Sequence, residues 1–214
     1  MARITVLGGT GYAGGHVVRE AAARGHQVTA VSRTAPAEPV EGVTYVVADI
    51  LDDGAPAGAV EGADVVVGAL SPRGALAGRM VDVMGRIAAV AEAAGTRLGV
   101  VGGAGSLLVA EGGPVLAETD GFPAEFRPEA EEMARVLAAL RGSDEALDWF
   151  FVSPAASFGP WLAGEHTGTF RVGGDVLLTD ADGNSAISGP DLAQALVDEI
   201  ERPAHRRRRF TVAY

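Results

Sequence analysis

An apolar run, Arg3-Ile4-Thr5-Val6-Leu7, passes without a break into Gly8-Gly9-Thr10-Gly11-Tyr12-Ala13-Gly14, and a helical pattern begins where the glycines stop. The run predicts a strand, the glycines a tight turn, and Val17, Val18, Ala21 and Ala22 the buried stripe of a helix. Gly8 permits the turn, Gly11 lets a phosphate approach the backbone, and Gly14 removes the Cβ where helix and strand must touch. A diphosphate would rest on the unpaired N–H groups of the helix N-terminus. The spacing is G-x-x-G-x-x-G, and glycine trios also serve plain turns and helix caps. Here the flanking strand and helix, with a second strand from Gln27 to Arg33, select a dinucleotide site made of Gly8, Gly9, Thr10, Gly11, Tyr12, Ala13 and Gly14.

The end of the second strand bears on which dinucleotide. An NAD site places an Asp or Glu there for the ribose 2′-OH, whereas this chain reads Ala30-Val31-Ser32-Arg33-Thr34, with no acid before Glu38. Ser32 and Arg33 fit a clamp for a 2′-phosphate, because a guanidinium donates two parallel bonds to phosphate oxygens. An ordinary solvated arginine at a strand end is the competing reading. NADP(H) is preferred over NAD(H).

With 214 residues, 48% of them hydrophobic, and no low-complexity tract or visible linker, the chain fits one NAD(P)-binding domain over residues 1–214. There are no cysteines, which excludes disulfides and thiolate metal sites. Of the four histidines, His16, His26, His166 and His205, none forms a ligand-like pair, so no metal is expected. His16 and His26 read as surface residues. The net charge of −11 argues against nucleic acid. Arg206-Arg207-Arg208-Arg209 pulls the other way, but it leads into an apolar terminal strand, Phe210 to Tyr214, and reads as a solvated loop and strand entry. No targeting segment or membrane-length apolar run is visible, so a cytoplasmic protein with no membrane partner, monomeric or homodimeric, is expected.

Strand and helix alternate along the rest of the chain, which predicts an α/β fold: a doubly wound, mostly parallel sheet with a small C-terminal substrate region. Strands are expected over Val43–Ile50, Asp64–Leu70, Arg97–Val101 and Leu147–Ser153. Helices are expected over Ala75–Ala94, with Leu76, Met80, Val83, Met84, Ile87, Val90, Ala91 and Ala94 buried, and over Pro128–Leu140. Residues 157–189 would form the substrate loop and a hairpin, Thr167–Val172 and Asp175–Leu178 joined by Gly173-Gly174. Ser188-Gly189-Pro190-Asp191 is a capping box that opens a last helix to about Ile200.

Ligands of such a sheet lie beyond the carboxyl ends of its strands. Asp49 and Ile50 would flank adenine, and Ala69, Leu70 and Ser71 would run beside ribose and nicotinamide. Gly103, Ser106, Pro154 and Ala155 would face the reacting ring, and the loop with Phe158, Trp161, Glu165 and His166 would wall the substrate.

Gly-Gly-Thr-Gly-Tyr-Ala-Gly, Ala48-Asp49-Ile50, Val101-Gly102-Gly103-Ala104-Gly105-Ser106, Asp148-Trp149, Ser153-Pro154-Ala155, His166-Thr167-Gly168 and Ile187-Ser188 followed by Asp191-Leu192-Ala193 are similar in order and spacing to the atypical short-chain dehydrogenases. The branch they resemble is that of the NADH-flavin reductase-like proteins, beside the flavin/biliverdin-IXβ reductases and the NmrA-like proteins. The resemblance covers nearly the whole chain. It implies a Rossmann core that binds NADP(H) and, in the reductases, passes hydride to a flavin, quinone or tetrapyrrole.

All seventeen basic side chains are arginine. Carbonyl-reducing short-chain dehydrogenases use a Tyr-x-x-x-Lys pair, and no lysine exists here to lower a tyrosine pKa. Hydride transfer to a flavin or quinone-like acceptor needs mainly orientation, because the acceptor delocalises its charge. Ser106 is a candidate donor to the acceptor, or else a loop cap. His166 is a candidate proton donor, or else solvated. Two functions survive: an NADPH-dependent reductase of a small conjugated acceptor, with flavin as a possible substrate, and a non-catalytic NADP(H) sensor of the NmrA kind.

Overall fold

A computed structural model describes residues 1–162 and 164–214. The chain runs through β1 (Arg3–Leu7), α1 (Tyr12–Ala23), β2 (Gln27–Ser32), β3 (Thr44–Val47), α2 (Ala55–Val60), β4 (Val65–Gly68), α3 (Met80–Ala94) and β5 (Arg97–Val101). It continues through α4 (Arg127–Arg141), β6 (Trp149–Ser153), β7 (Arg171–Gly173), α5 (Gly189–Glu201) and β8 (Arg208–Ala213). These strands form one sheet in the order β3-β2-β1-β4-β5-β6-β8-β7. Pairing is parallel from β3 to β8, and β7 runs antiparallel to β8. After β3 the chain returns to the other side of β1 to lay down β4. The strand order therefore reverses between β1 and β4, the place where an open α/β sheet leaves a crevice at its carboxyl ends.

Strand alternation sends successive side chains to opposite layers. Phe150 and Val152 of β6 join α1 and α5 on one face, with Ile4, Val6, Phe210 and Val212. Trp149 and Phe151 join α2, α3 and α4 on the other, with Leu7, Met84 and Leu137. Both faces are covered, which explains why the central strands read as unbroken apolar runs.

Several expected boundaries shift. The helix expected from Ala75 starts at Met80. Gly78 adopts a φ of 73°, outside any right-handed helix, and separates α3 from a short 3-10 turn at Gly74–Leu76. Met80, Val83, Met84, Ile87 and Ala91 are buried as expected and Leu76 and Val90 partly so, but Ala94 is exposed at the helix end. The strands expected over Val43–Ile50 and Asp64–Leu70 shorten to Thr44–Val47 and Val65–Gly68. The hairpin does not form. Gly173 and Gly174 lack the positive φ that a two-residue hairpin turn requires. Val172 pairs instead with Val212 of β8, while Val176 bridges Leu108 in the loop after β5.

Two histidines and the arginine run also differ from expectation. The His26 side chain is only 5% exposed and lies 3.1 Å from Glu201, and the His16 ring packs under Gly189 at the start of α5. The arginine run is mostly committed to the protein. Arg206 pairs with Asp148, Arg207 donates to the carbonyls of Ser143, Asp144 and Leu147, and the Arg209 side chain is 3% exposed. Arg208 is exposed, and β8 begins there.

Candidate functional site

The turn between β1 and α1 is pinned from three sides. Gly8 has a φ of 78°, and a Cβ there would overlap the Ala69 carbonyl oxygen after β4. A Cβ on Gly9 would stand 2.7 Å from that of Ala30 on β2. A Cβ on Gly14 would overlap the Gly8 carbonyl oxygen, so helix and turn touch backbone to backbone there. Gly11 differs: it is exposed, and a Cβ would meet only the Gly8 oxygen, at 3.2 Å. Internal packing thus asks for glycine at positions 8, 9 and 14. The open space at Gly11 is where an outside group can approach.

The N-terminus of α1 also stands apart electrostatically. Helices α3, α4 and α5 carry Asp82, Glu129 and Asp191 in their first turns, and α1 carries no acid in its own. Buried Glu132, reaching over from α4, accepts from the N–H groups of Gly78 and Met80 at 2.8 and 2.7 Å and closes off the start of α3. Ser188 accepts from Asp191 N at 3.1 Å and caps α5. The cap position of α1 is Gly11, which has no side chain to offer. Its first N–H groups and the positive end of its dipole remain available to an anion.

At the end of β2 the Ser32 hydroxyl accepts from Thr10 N at 3.0 Å and so fixes the turn, keeping its own hydrogen to donate. Arg33 is exposed and forms no ion pair among the described residues. Asp49 bonds its own loop at Leu51 N, 3.0 Å away, and Ile50 is buried with its carbonyl accepting from Arg86. Ala69 donates to Leu7, Leu70 packs beside Gly8, and Ser71 is exposed. Gly103 faces open space, while Pro154 and Ala155 are buried. Glycine turn, Ser32, Ala69 and Leu70 are thereby brought together at the switch point.

The two candidate donors belong to separate networks. Ser106 Oγ accepts from Arg209 Nη1 at 2.8 Å, and Arg209 is anchored through Nε to Asp175 at 2.7 Å. His166 Nε2 lies 2.6 Å from Gln194 Oε1 and 3.6 Å from Asp191 on α5, with the side chain 55% exposed. Asp191, fully buried, accepts from Thr167 N and Oγ1, Gly168 N and Tyr214 OH, which ties the His166 segment to the start of α5. Burial raises the Asp191 pKa, yet the bonds from Thr167, Tyr214 and Gly168 prevail and hold the carboxyl below the usual range. Burial, then neighbouring Arg19, pushes the His16 pKa down. His16 stands edge-on to Tyr12, which also meets Phe158, and these rings seat the loop after β6 on α1.

Arg209, Asp191 and Tyr214 are the parts that the sequence reading missed. Asp191 was legible as a cap but not as a clamp. Arg209 could have been found by alternation, because in β8 it falls on the face opposite Phe210. Ser153 at the end of β6 is fully buried, with an Oγ that has no hydrogen-bond partner. Cavities of about 160 and 590 Å³ lie elsewhere, by β8 and the end of α5. The crevice is marked by the reversal of strand order and by the open α1 terminus.

Residues 8–203 match the model of a family described as NAD(P)H-binding. The chain belongs to that family. It is 38% identical to the uncharacterized protein YwnB of Bacillus subtilis (strain 168), over 98% of this chain and 97% of that one. Among solved structures, it is similar to SP1627 of Streptococcus pneumoniae TIGR4, described as "a putative NADH-flavin reductase", with a TM-score of 0.85, 34% identity and coverage of 100% and 99% of the two chains. It is also similar to a "putative exported protein" of Burkholderia pseudomallei, with a TM-score of 0.88, 40% identity and complete coverage of both chains. Fold and family agree: this is an NAD(P)H-binding, oxidoreductase-like Rossmann protein.

Proposed function

We propose that the protein is an NADPH-dependent reductase that passes hydride to a flavin, quinone or related conjugated acceptor. The observation that carries the reading is the α1 terminus, which among the described helices of twelve or more residues alone has neither an acid in its first turn nor a capping side chain, set at the switch point beneath an open Gly11. The likeness to a protein described as an NADH-flavin reductase supports the acceptor class. Arg33, in place of the acid of NAD sites, supports NADPH.

In this reading the α1 amides hold the diphosphate, Ser32 and Arg33 hold the 2′-phosphate, and Asp49, Ile50, Ala69, Leu70 and Ser71 line the path to the reacting end. Bound NADPH would supply the hydride. Gly103, Pro154 and Ala155 shape the floor on which the ring lies. Arg209 occupies a lone pair of Ser106 Oγ, which leaves the Ser106 hydroxyl hydrogen to donate to the acceptor. His166 stands on the exposed loop and contributes to acceptor binding. With no lysine and no tyrosine in a Tyr-x-x-x-Lys pair, the acceptor takes its proton from water or through Ser106. The chain acts as one domain over 1–214, in the cytoplasm, as a monomer or homodimer without metal, membrane or nucleic acid. Its net charge of −11 speaks against a nucleic-acid partner, and among the described residues no helix is long and apolar enough to cross a membrane.

NADPH consumption measured with FMN, FAD, biliverdin and dichlorophenolindophenol tests the reading. Turnover with at least one acceptor is expected. Ser106→Ala should lower it by about tenfold to a hundredfold, the lower part of the range for general acid catalysis, and His166→Ala should raise the acceptor KM with kcat nearly kept. No turnover with any acceptor, together with unequal affinity for NADPH and NADP, would replace the reductase with a non-catalytic NADP(H) sensor.

A further inference from the structure

The sheet has a second charged concavity, joined to the proposed reductase site through the bond from Arg209 to Ser106. β7 ends at Gly173 opposite Thr211, so β8 extends beyond it by Arg208, Arg209 and Phe210 on its open edge. There Gly174, Asp175, Arg141 and Arg207 to Arg209 line a cavity of about 590 Å³. Arg141 and Arg209 share one carboxylate, that of Asp175, at 2.6 and 2.5 Å. Arg207 bonds only neutral groups, three backbone carbonyls and the Ser143 hydroxyl. Arg208 is exposed and has no ion pair among the described residues. Four arginines and one carboxylate therefore line the cavity, a local surplus of three positive charges on a chain whose net charge is −11.

We propose that this open edge of β8 is a binding site for a small multivalent phosphate anion, separate from the dinucleotide site. Guanidinium forks match phosphate oxygens in pairs, and a concave wall favours a ligand small enough to enter. The negative charge of the rest of the molecule repels an extended polyanion or an anionic bilayer, while a compact ligand can sit inside the positive field. Burial lowers the Arg209 pKa, Asp175 opposes that, and Arg141 adds to it, so the cations already repel one another across the cleft. A bound anion relieves that repulsion.

Calorimetric titration with inorganic pyrophosphate tests the site, using wild type, Gly11→Val and Arg208→Glu. Arg208 is exposed, so its reversal leaves the fold intact, as circular dichroism should verify. Sub-millimolar binding is expected in wild type and in Gly11→Val, weakening with added salt, and Arg208→Glu should reduce it by about tenfold or more, the effect of turning one close attraction into repulsion. Absence of binding to wild type, or loss in Gly11→Val with retention in Arg208→Glu, would overturn the proposal. Sedimentation with phosphatidylglycerol vesicles that Arg208→Glu abolishes would also overturn it, and would assign the edge to a lipid surface.

Discussion

At the amino-terminal end of the sheet, charge is paired with charge. Arg3 meets Asp64 at 2.6 Å, Arg24 reaches Glu20, Asp198 and Glu201 within 2.9 Å, and Arg97 meets Glu199 at 2.6 Å beside Asp148. At the carboxyl-terminal end, Arg73 pairs with Glu129, but Arg33 is left to solvent and the first amides of α1 have no capping partner. One end ties α5, β5 and the β8 loop into a single block. The other keeps donors unspent at the place where the topology opens a crevice. Stability and the proposed dinucleotide binding thus draw on opposite ends of the same strands, and substitutions should separate them.

The largest effect is expected from Glu199→Ala. It takes the carboxylate from the guanidinium of Arg97, whose side chain is 8% exposed, and leaves it the carbonyl oxygen of residue 199 and Asp148, 3.4 Å away, to compensate. Breaking a buried pair costs about 3–5 kcal/mol, and Asp148 places this one near the lower bound. Urea unfolding should show the loss while NADPH affinity of the folded variant stays unchanged; a matching loss of affinity would dissolve the separation of ends. The same group sets a pH dependence. Burial raises the Glu199 pKa, but bonds from Arg97, His205 and Ala204 outweigh it, so the folded pKa lies below that of the unfolded chain. Its contribution is complete above the unfolded value of about 4.3 and is lost as pH falls through the folded one. Stability measured from pH 6 downward should therefore fall less steeply in Glu199→Gln than in wild type.

Gly11→Val is the mirror experiment. Gly11 has extended backbone, φ −74° and ψ 174°, which valine accepts, so the melting temperature should stay close to that of wild type. The branched side chain occupies the phosphate approach, and NADPH binding should weaken by at least about a hundredfold, roughly 2.7 kcal/mol. Retained binding by calorimetry would remove the site from the α1 terminus. Arg33→Ala sharpens the picture to one phosphate: about 1.5–3 kcal/mol lost for NADPH, the worth of a charge-assisted bond, and little change for NADH. Equal losses would sink the clamp. The smallest effect belongs to Arg3→Ala, whose pair with Asp64 is about half exposed on both sides. Stability should barely change, and less still in high salt.

The sequence carried the glycine turn because its signal is local: Gly8, Gly9 and Gly14 each answer a contact with backbone or strand a few residues away or on a neighbouring strand. The central strands were legible for a related reason, since burial on both faces leaves no room for polar residues. What the sequence hid depends on partners far along the chain. Arg171–Gly173 alternates too briefly to reveal whether it pairs with the next segment or with β8. Arg209 sits in a run of identical charges, and only the pleat of β8 decides that it turns inward to Asp175 and Ser106 while Arg208 does not. The second role of Asp191, clamping Thr167 and Gly168, needs the loop to be laid across the helix before it can be seen.

The ion pairs of the amino-terminal end are made without a single lysine. A lysine-based network would begin to dissolve near pH 10, as its ammonium groups gave up their protons, whereas guanidinium groups hold theirs well beyond that, a difference set by the groups themselves. Burial and the neighbouring carboxylate of Asp191 both push the Tyr214 pKa upward. The brace that holds α5, β5 and the β8 loop is therefore indifferent to base over a range in which most proteins lose their cations.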